Sequence, residues 1–340
     1  MKKKNYRIPI FVPHRGCPHD CVFCNQKRIT GHTAEVSAAD AKKIIDEYLL
    51  TLADDAYIEI AFFGGSFTGI DFDRQTELLE VAEQYAESGR VHGIRCSTRP
   101  DCIDKKILEN LKKHCVTCIE LGVQSTDEDV LRKSGRGHSF DDVSRAVSLI
   151  KEYEIPFGLQ MMMGLPGDTY EKTLKTVNDI IALKPDCVRI YPTLVVEDTA
   201  LYDMYSDSSY TPLELEETVE QLSVIIPMFH RAGIQIIRVG LQTTDDINAD
   251  TVKGPYHPAI RELAEGRIIL KAIEKSITKD AVKTIEIVCS PACVSAVVGQ
   301  KRCNVQYLRS KYKADVKILQ DSAMKNNTVK ICGKIVDIYA

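Results

Sequence analysis

Gly16-Cys17-Pro18-His19-Asp20-Cys21-Val22-Phe23-Cys24 sets three thiols at C-x3-C-x2-C spacing in a loop that directly follows an apolar run at residues 8–12. A short loop lets three side chains converge, and thiolate is the soft ligand that iron–sulfur clusters select. A [4Fe–4S] cubane bound by only three protein thiolates keeps one iron open for a substrate or cofactor, whereas electron-transfer clusters normally take four cysteines. The same residues also admit a structural zinc ion with His14 or His19 as fourth ligand, or cysteines that bind nothing. The chain around the loop has to decide.

Downstream of the loop, short apolar runs rich in β-branched residues alternate with stretches of helical period, which is the rhythm of repeated βα units. Strands are predicted at 8–12, 57–63, 93–97, 117–123, 156–162, 187–195 and 235–239, each running into a Gly, Pro, Ser or polar loop. Helices are predicted between them at 37–51, 73–88, 101–113, 140–153, 170–183 and 212–232, several with Asp or Ser at the N-cap. With right-handed crossovers, six or so such units curl into a partial parallel (βα)6 barrel of the α/β class, whose site lies at the C-terminal ends of the strands. The expected division is a barrel over 1–240, a linker and connecting helix over 241–280, and a small α+β domain over 281–340.

Of the 340 residues, 44% are hydrophobic and 27% charged, a globular mixture, and the net charge of −4 argues against a polyanion-binding surface over the whole protein. The Met1-Lys2-Lys3-Lys4 start lacks the apolar core of a secretion signal, and no run reaches the roughly 20 apolar residues that span a bilayer. The expected location is cytoplasmic, with no membrane partner. Thiols stay reduced there, so the clustered cysteines among the twelve point to a metal rather than to disulfides.

Cys-x3-Cys-x2-Cys with an aromatic before the last cysteine resembles the signature of the radical S-adenosylmethionine superfamily. The resemblance implies a [4Fe–4S] cluster on Cys17, Cys21 and Cys24 and S-adenosyl-L-methionine bound at its open iron. It further implies an external one-electron donor of flavodoxin or ferredoxin type, and a 5′-deoxyadenosyl radical that abstracts hydrogen from the substrate. The strand ends carry the rest of it. Phe62-Phe63-Gly64-Gly65-Ser66-Phe67-Thr68 is similar to the family's glycine-rich motif for the methionyl amino group, which puts Gly64, Gly65 and Ser66 at the cofactor. Ser97, in Ser97-Thr98-Arg99-Pro100-Asp101, stands where many members carry a carboxylate, and it offers only an uncharged hydroxyl. In Gly122-Val123-Gln124 and Arg136-Gly137-His138, Gln124 and Arg136 match cofactor-contacting positions of the branch that contains anaerobic coproporphyrinogen oxidase and the elongator catalytic subunit. Arg136 suits a carboxylate through a charge-assisted contact, although an exposed loop arginine fits the sequence equally. Gln160, in Gln160-Met161-Met162-Met163-Gly164-Leu165-Pro166-Gly167, closes the set, with the three methionines read as core.

Longer segments at 97–101, 122–138, 189–195 and 199–212 resemble the radical domain of the elongator catalytic-subunit family, which modifies wobble uridines of tRNA. No acetyltransferase phosphate-binding loop is visible. The resemblance therefore implies the radical chemistry, with tRNA as a possible partner, rather than the family's full carboxymethylation. A small-molecule substrate such as a tetrapyrrole, or a non-catalytic RNA-binding protein stabilised by zinc, are the alternatives.

Residues 258–276 read as a connecting helix. Beyond it, strands at 284–288, 315–319 and 329–332 flank Val297-Val298-Gly299-Gln300-Lys301-Arg302-Cys303-Asn304, and the whole resembles a KH module. In such modules a GxxG loop clamps the nucleic-acid backbone. Gly299, Gln300, Lys301 and Arg302 are the candidate RNA contacts, with Arg302 in place of the second glycine and Arg309, Lys311 and Lys313 adding charge. Cys115, Cys118, Cys289, Cys293 and Cys303 are expected to be core thiols rather than ligands of a second cluster.

Overall fold

The computed structural model describes residues 5–12, 17, 19–25, 36–53, 55–241, 247–248, 252–277 and 283–340. His14, Gly16, Pro18, the first four residues and most of the polar stretch 242–253 lie outside them.

Seven strands, β1 (Asn5–Val12), β2 (Tyr57–Gly64), β3 (Gly93–Thr98), β4 (Val116–Gln124), β5 (Phe157–Met163), β6 (Cys187–Pro192) and β7 (Gln235–Val239), form one parallel sheet in chain order, curled into a half-barrel. Helices α1 (Ala38–Thr51), α2 (Phe72–Glu87), α3 (Lys105–Lys113), α4 (Glu128–Lys133), α5 (Phe140–Glu152), α6 (Tyr170–Leu183), α7 (Ala200–Ser206) and α8 (Leu215–Arg231) fill the crossovers. Local chemistry starts them: Ser37 with Asp40 and Ser139 with Asp142 make reciprocal capping boxes at α1 and α5.

Period two divides every strand between two faces. Ile8, Ile10 and Val12, Ile58, Ile60 and Phe62, and Ile119, Leu121 and Val123 point to the helices and are at most 2% exposed. The alternate positions carry Arg7, Glu59, Arg95, Glu120, Gln160 and Arg189. A closed barrel fills its interior with branched apolar residues; a polar inner face belongs to a sheet that curls around a cleft without closing.

Gly158 keeps part of that inner face passable. A Cβ there would lie 2.6 Å from the Cys187 sulfur and 3.3 Å from Glu120 Cγ. Gly158→Ala is expected to destabilise the barrel by about 1–3 kcal/mol through overpacking, and Cys187→Ala in the same chain should recover much of the loss. Denaturant midpoints of the two variants check this.

The expected strand at 187–195 ends early, at Pro192, which has no N–H to continue the ladder. Val195–Val196 instead forms an antiparallel ribbon with Val252–Lys253, so the segment expected as linker is stitched to the barrel rim. The helices expected to begin at 101 and 212 start later, at Lys105 behind the Asp104 cap and at Leu215; a 3-10 turn occupies Pro100–Cys102. Short helices α4 and α7 escaped the periodicity reading, because six or seven residues give too few turns to show it.

Helix α9 (Ile260–Ser276) is a shared core element rather than a connector. It packs on α8 from one side and on α10 (Val294–Val298) from the other, and the barrel and C-terminal module share one hydrophobic cluster. Asn304, 4% exposed, donates to the Gly266 carbonyl at 3.0 Å and the Ala296 carbonyl at 3.1 Å, locking α9 to the module. His230 of α8 stacks on Tyr339 with 3.8 Å between ring centres.

The module runs β8 (Thr284–Cys289), α10, α11 (Cys303–Tyr312), β9 (Asp315–Gln320), β10 (Thr328–Ile331) and β11 (Lys334–Asp337), in sheet order β9-β8-β10-β11. Strands β8 and β9 are parallel, and the other two pairs antiparallel. Strand β11 was not expected; Cys332 and Gly333, both at positive φ, make the tight turn that adds it.

Candidate functional site

All seven strands point the same way, so their C-terminal ends share one rim. The Gly65 N–H donates to the Val12 carbonyl at 2.9 Å, which holds the glycine turn after β2 against the start of the cysteine loop. Gly64 takes φ +103°, a conformation that favours glycine. Within the loop, the Cys24 N–H donates to the Cys21 carbonyl at 3.0 Å, the Val22 N–H to Ser134 at 3.1 Å, and the Leu201 N–H to Val22 at 2.8 Å. Val22 and Phe23 pack on Val195, Leu201 and Tyr210. A β-carbon on Gly137 would run into the His19 ring at 2.4 Å, so the loop at 134–137 and the cysteine loop fit closely.

Arg136 is buried in this structure, 6% exposed, not a loop arginine in solvent. Its guanidinium donates to the Cys21 sulfur at 3.5 Å and to the Gly122 carbonyl at 2.5 Å. Beside it lies Arg99, which sequence reading passed over in favour of Ser97. Arg99 is 2% exposed, pairs with Asp101 at 2.9 Å and donates to the Arg136 carbonyl at 2.6 Å. Burial raises the Cys17 thiol above its ordinary value; the Ser66 backbone N–H and the Arg136 and Arg99 guanidiniums work against that and favour thiolate. Burial and the same two arginines push His138 down to about 3, leaving the ring neutral.

Gln124 ends β4 at a register bulge with φ +67°, a left-handed conformation costly for a residue other than glycine. A Cβ on Gly122 would meet Arg136 Nη2 at 2.7 Å and Gln124 Nε2 at 3.1 Å, so these two expected cofactor residues converge over Gly122. Ser66, 1% exposed, holds structure with its hydroxyl, 2.7 Å from the Thr98 hydroxyl and accepting from the Arg99 N–H at 3.2 Å. Ser97 and Gln160 meet lower in the cleft, where the Gln160 amide donates to Ser97 at 3.2 Å and to Glu120 at 3.0 Å. Met161 and Met163 are core, as expected, whereas Met162 is half-buried on the inner face.

Glu120 is the centre of that lower layer. It is 1% exposed and takes Arg95 at 2.7 Å and Arg189 through two nitrogens, one at 2.9 Å, while Arg95 also reaches Glu59 at 3.1 Å. Burial alone would raise its carboxyl, but Arg189 and Arg95 outweigh burial and hold it at about 2. The signal was present in the sequence as lone charges inside apolar strands at Arg95, Glu120 and Arg189.

The cysteine loop fits an iron–sulfur cluster by its donors: three free thiols, with a buried guanidinium against one of them. Among the described residues no group of three or more His, Cys, Asp and Glu side chains converges on a single metal ion. A cubane asks for less, because each thiolate binds its own iron. The rim also fits a polar cofactor. Arg136 Nε, Arg99 Nη1 and Gln124 Oε1 are buried without a hydrogen-bond partner among the described residues, and buried polar groups of that kind call for a ligand.

The remaining cysteines divide. Cys118, Cys289 and Cys293 are buried, but Cys115 and Cys303 are exposed and so are not core thiols. Cys115 sits on the turn after α3, at φ +56°, and Cys303 starts α11.

In the C-terminal module, Gly299 takes φ +76°, and Lys301 and Arg302 take φ +51° and +65°. Arg302 therefore adopts the left-handed backbone that a second glycine would adopt, and holds an exposed cation there. The basic stretch is thinner than its sequence: Arg309 pairs with Asp315 and Lys311 with Glu274, while Lys301, Arg302 and Lys313 stay exposed.

A parallel half-barrel with a three-cysteine loop at its rim defines the class, and the radical SAM superfamily model matches residues 11–180. The chain belongs to the radical SAM superfamily. The superfamily's C-terminal domain matches residues 185–269 and the KH domain residues 284–339. Over 186 residues the chain is 31% identical to the tRNA uridine(34) acetyltransferase of Methanocaldococcus infernus, covering 49% of this chain and 35% of that protein. Over 183 residues it is 33% identical to Elongator complex protein 3 of Homo sapiens, covering 52% and 32%. The chain thus spans about a third of the length of these relatives. The solved structure of archaeal M. infernus Elp3 with an N-terminal deletion (1–46) superposes with a TM-score of 0.63 at 22% identity, over 80% of this chain and 64% of that one, a likeness of fold. Among the described residues no helix is long and apolar enough to cross a membrane.

Proposed function

We propose that this protein is a cytoplasmic radical enzyme that cleaves S-adenosylmethionine reductively and acts on an RNA, with tRNA the first candidate. Cys17, Cys21 and Cys24 would hold the [4Fe–4S] cluster. When bound, cluster and cofactor together supply a 5′-deoxyadenosyl radical, given one electron from a flavodoxin- or ferredoxin-type donor. The protein's own residues do the positioning. Arg136 suits the methionyl carboxylate and Gln124 an adjacent polar group. The peptide groups of Gly64, Gly65 and Ser66 suit the methionyl amino group, and Ser97 and Gln160 the polar edge of the nucleoside.

The observation that carries this reading is the pair of buried arginines, Arg136 and Arg99, set beside a three-cysteine loop with hydrogen-bonding capacity unused. Gly299 to Arg302 and the match to the KH domain support RNA as substrate. The test is 5′-deoxyadenosine formation by anaerobically reconstituted protein with dithionite and S-adenosylmethionine, alone, with bulk tRNA, and with coproporphyrinogen III. Stimulation by tRNA alone supports the reading; stimulation by the tetrapyrrole alone replaces the substrate class.

A further inference from the structure

We infer that the loop of the KH module and the mouth of the half-barrel form one continuous track for a single-stranded RNA segment, so that the module presents to the barrel a nucleotide a fixed distance along the strand. This rests on the reading of the protein as an RNA-directed enzyme.

A chain of direct contacts joins the two places. Asn25, next to Cys24, donates through its side chain to the Glu197 carbonyl at 3.2 Å and the Asp198 carbonyl at 3.3 Å. The residues just before these, Val195–Val196, pair with Val252–Lys253, Val195 lying opposite Lys253. Gly254 then packs against the end of β6: a Cβ there would lie 3.1 Å from the Thr193 carbonyl. Three residues past Gly254, the His257 ring is fixed by the Ala259 N–H at 3.0 Å, and the Gln300 amide of the KH loop stands 3.2 Å from its Nε2. With α9 packed on α8 of the barrel and tied to the module by Asn304, the distance from KH loop to cysteine loop is set by the fold, not by a tether.

Exposed cations lie along this ribbon. Lys301, Arg302 and Lys253 are exposed at the KH end and in the middle, where phosphates would be held. A KH loop clamps about four nucleotides of backbone. The strand beyond it must be unpaired to follow a ribbon this narrow, so the substrate is a nucleotide in a loop or single-stranded stretch beside the clamped segment.

Fluorescence anisotropy with two labelled RNAs on the full chain tests this: one of about four nucleotides, which the KH loop alone accommodates, and one of about 16, which spans further. Lys301→Glu with Arg302→Glu is expected to weaken both roughly ten-fold or more. Lys253→Glu is expected to weaken only the long RNA, to a similar extent, and to lower its slope of log affinity against log salt by about one. If Lys253→Glu leaves the long RNA unaffected while the double variant weakens both, the module binds alone and the track is refuted. If neither variant changes any RNA affinity, the RNA reading itself fails.

Discussion

Cys21→Ala is expected to yield a folded, colourless protein that retains less than a tenth of the iron bound by the parent, which should carry about four irons per chain after anaerobic reconstitution. Cys21 is 8% exposed and lies under the Arg136 guanidinium, so its loss removes one of three anchors and leaves that cation with the Gly122 carbonyl but no thiolate beside it. Cys17→Ala and Cys24→Ala should do the same. Cys115→Ala and Cys303→Ala, at exposed thiols far along the chain, are the controls and should keep their colour. Visible absorbance, iron content and circular dichroism together decide it. A brown Cys21→Ala protein with full iron would move the cluster elsewhere.

Glu120→Gln is expected to cost about 3–5 kcal/mol of stability, the usual penalty for breaking a buried ion pair by removing one partner. Glu120 is the meeting point of Arg95, Arg189 and Gln160, and an amide satisfies two guanidiniums poorly. The pH dependence has a definite sign. The folded-state carboxyl is depressed from 4.5 to about 2, so its contribution is present above the unfolded value and fades as pH falls between those two values. The variant should lack that component of acid sensitivity while unfolding at lower denaturant throughout. Gln160 loses the carboxylate that orients it as well, so on the proposed role of Gln160 the affinity for S-adenosylmethionine should fall. Denaturant titrations of the apoprotein at pH 7 and pH 4 provide the measurement; equal midpoints for parent and variant at pH 7 would show the network to be dispensable.

Much of this architecture was legible because period two and period 3.6 alternate so regularly. Helix α6 lies at the predicted residues, 170–183, and strand β7 at 235–239. The outward faces of the strands follow from apolar alternation. The inward face was harder to read, since a lone charge in an apolar strand gives its partner no address: Glu120 and Arg189 are 69 residues apart and meet only when β4, β5 and β6 stand side by side. Arg99 was hidden by the resemblance itself, which directed attention to position 97, two residues earlier. Ser66 was marked for the cofactor by its motif, yet its hydroxyl turns to Thr98 and Arg99, and only a packed rim could reveal that. The ribbon at Val195–Val196 and Val252–Lys253 is two residues per strand, below the length at which alternation carries information. In the proposed track that ribbon is the middle of the path from KH loop to cysteine loop.

The most direct test of the central claim is the yield of 5′-deoxyadenosine when anaerobically reconstituted protein is mixed with dithionite and S-adenosylmethionine, beside the same reaction with Cys21→Ala. Formation by the parent and none above background in the variant is the expected result. No formation by a fully iron-loaded parent, or equal formation by the variant, would contradict a radical cleavage at Cys17, Cys21 and Cys24.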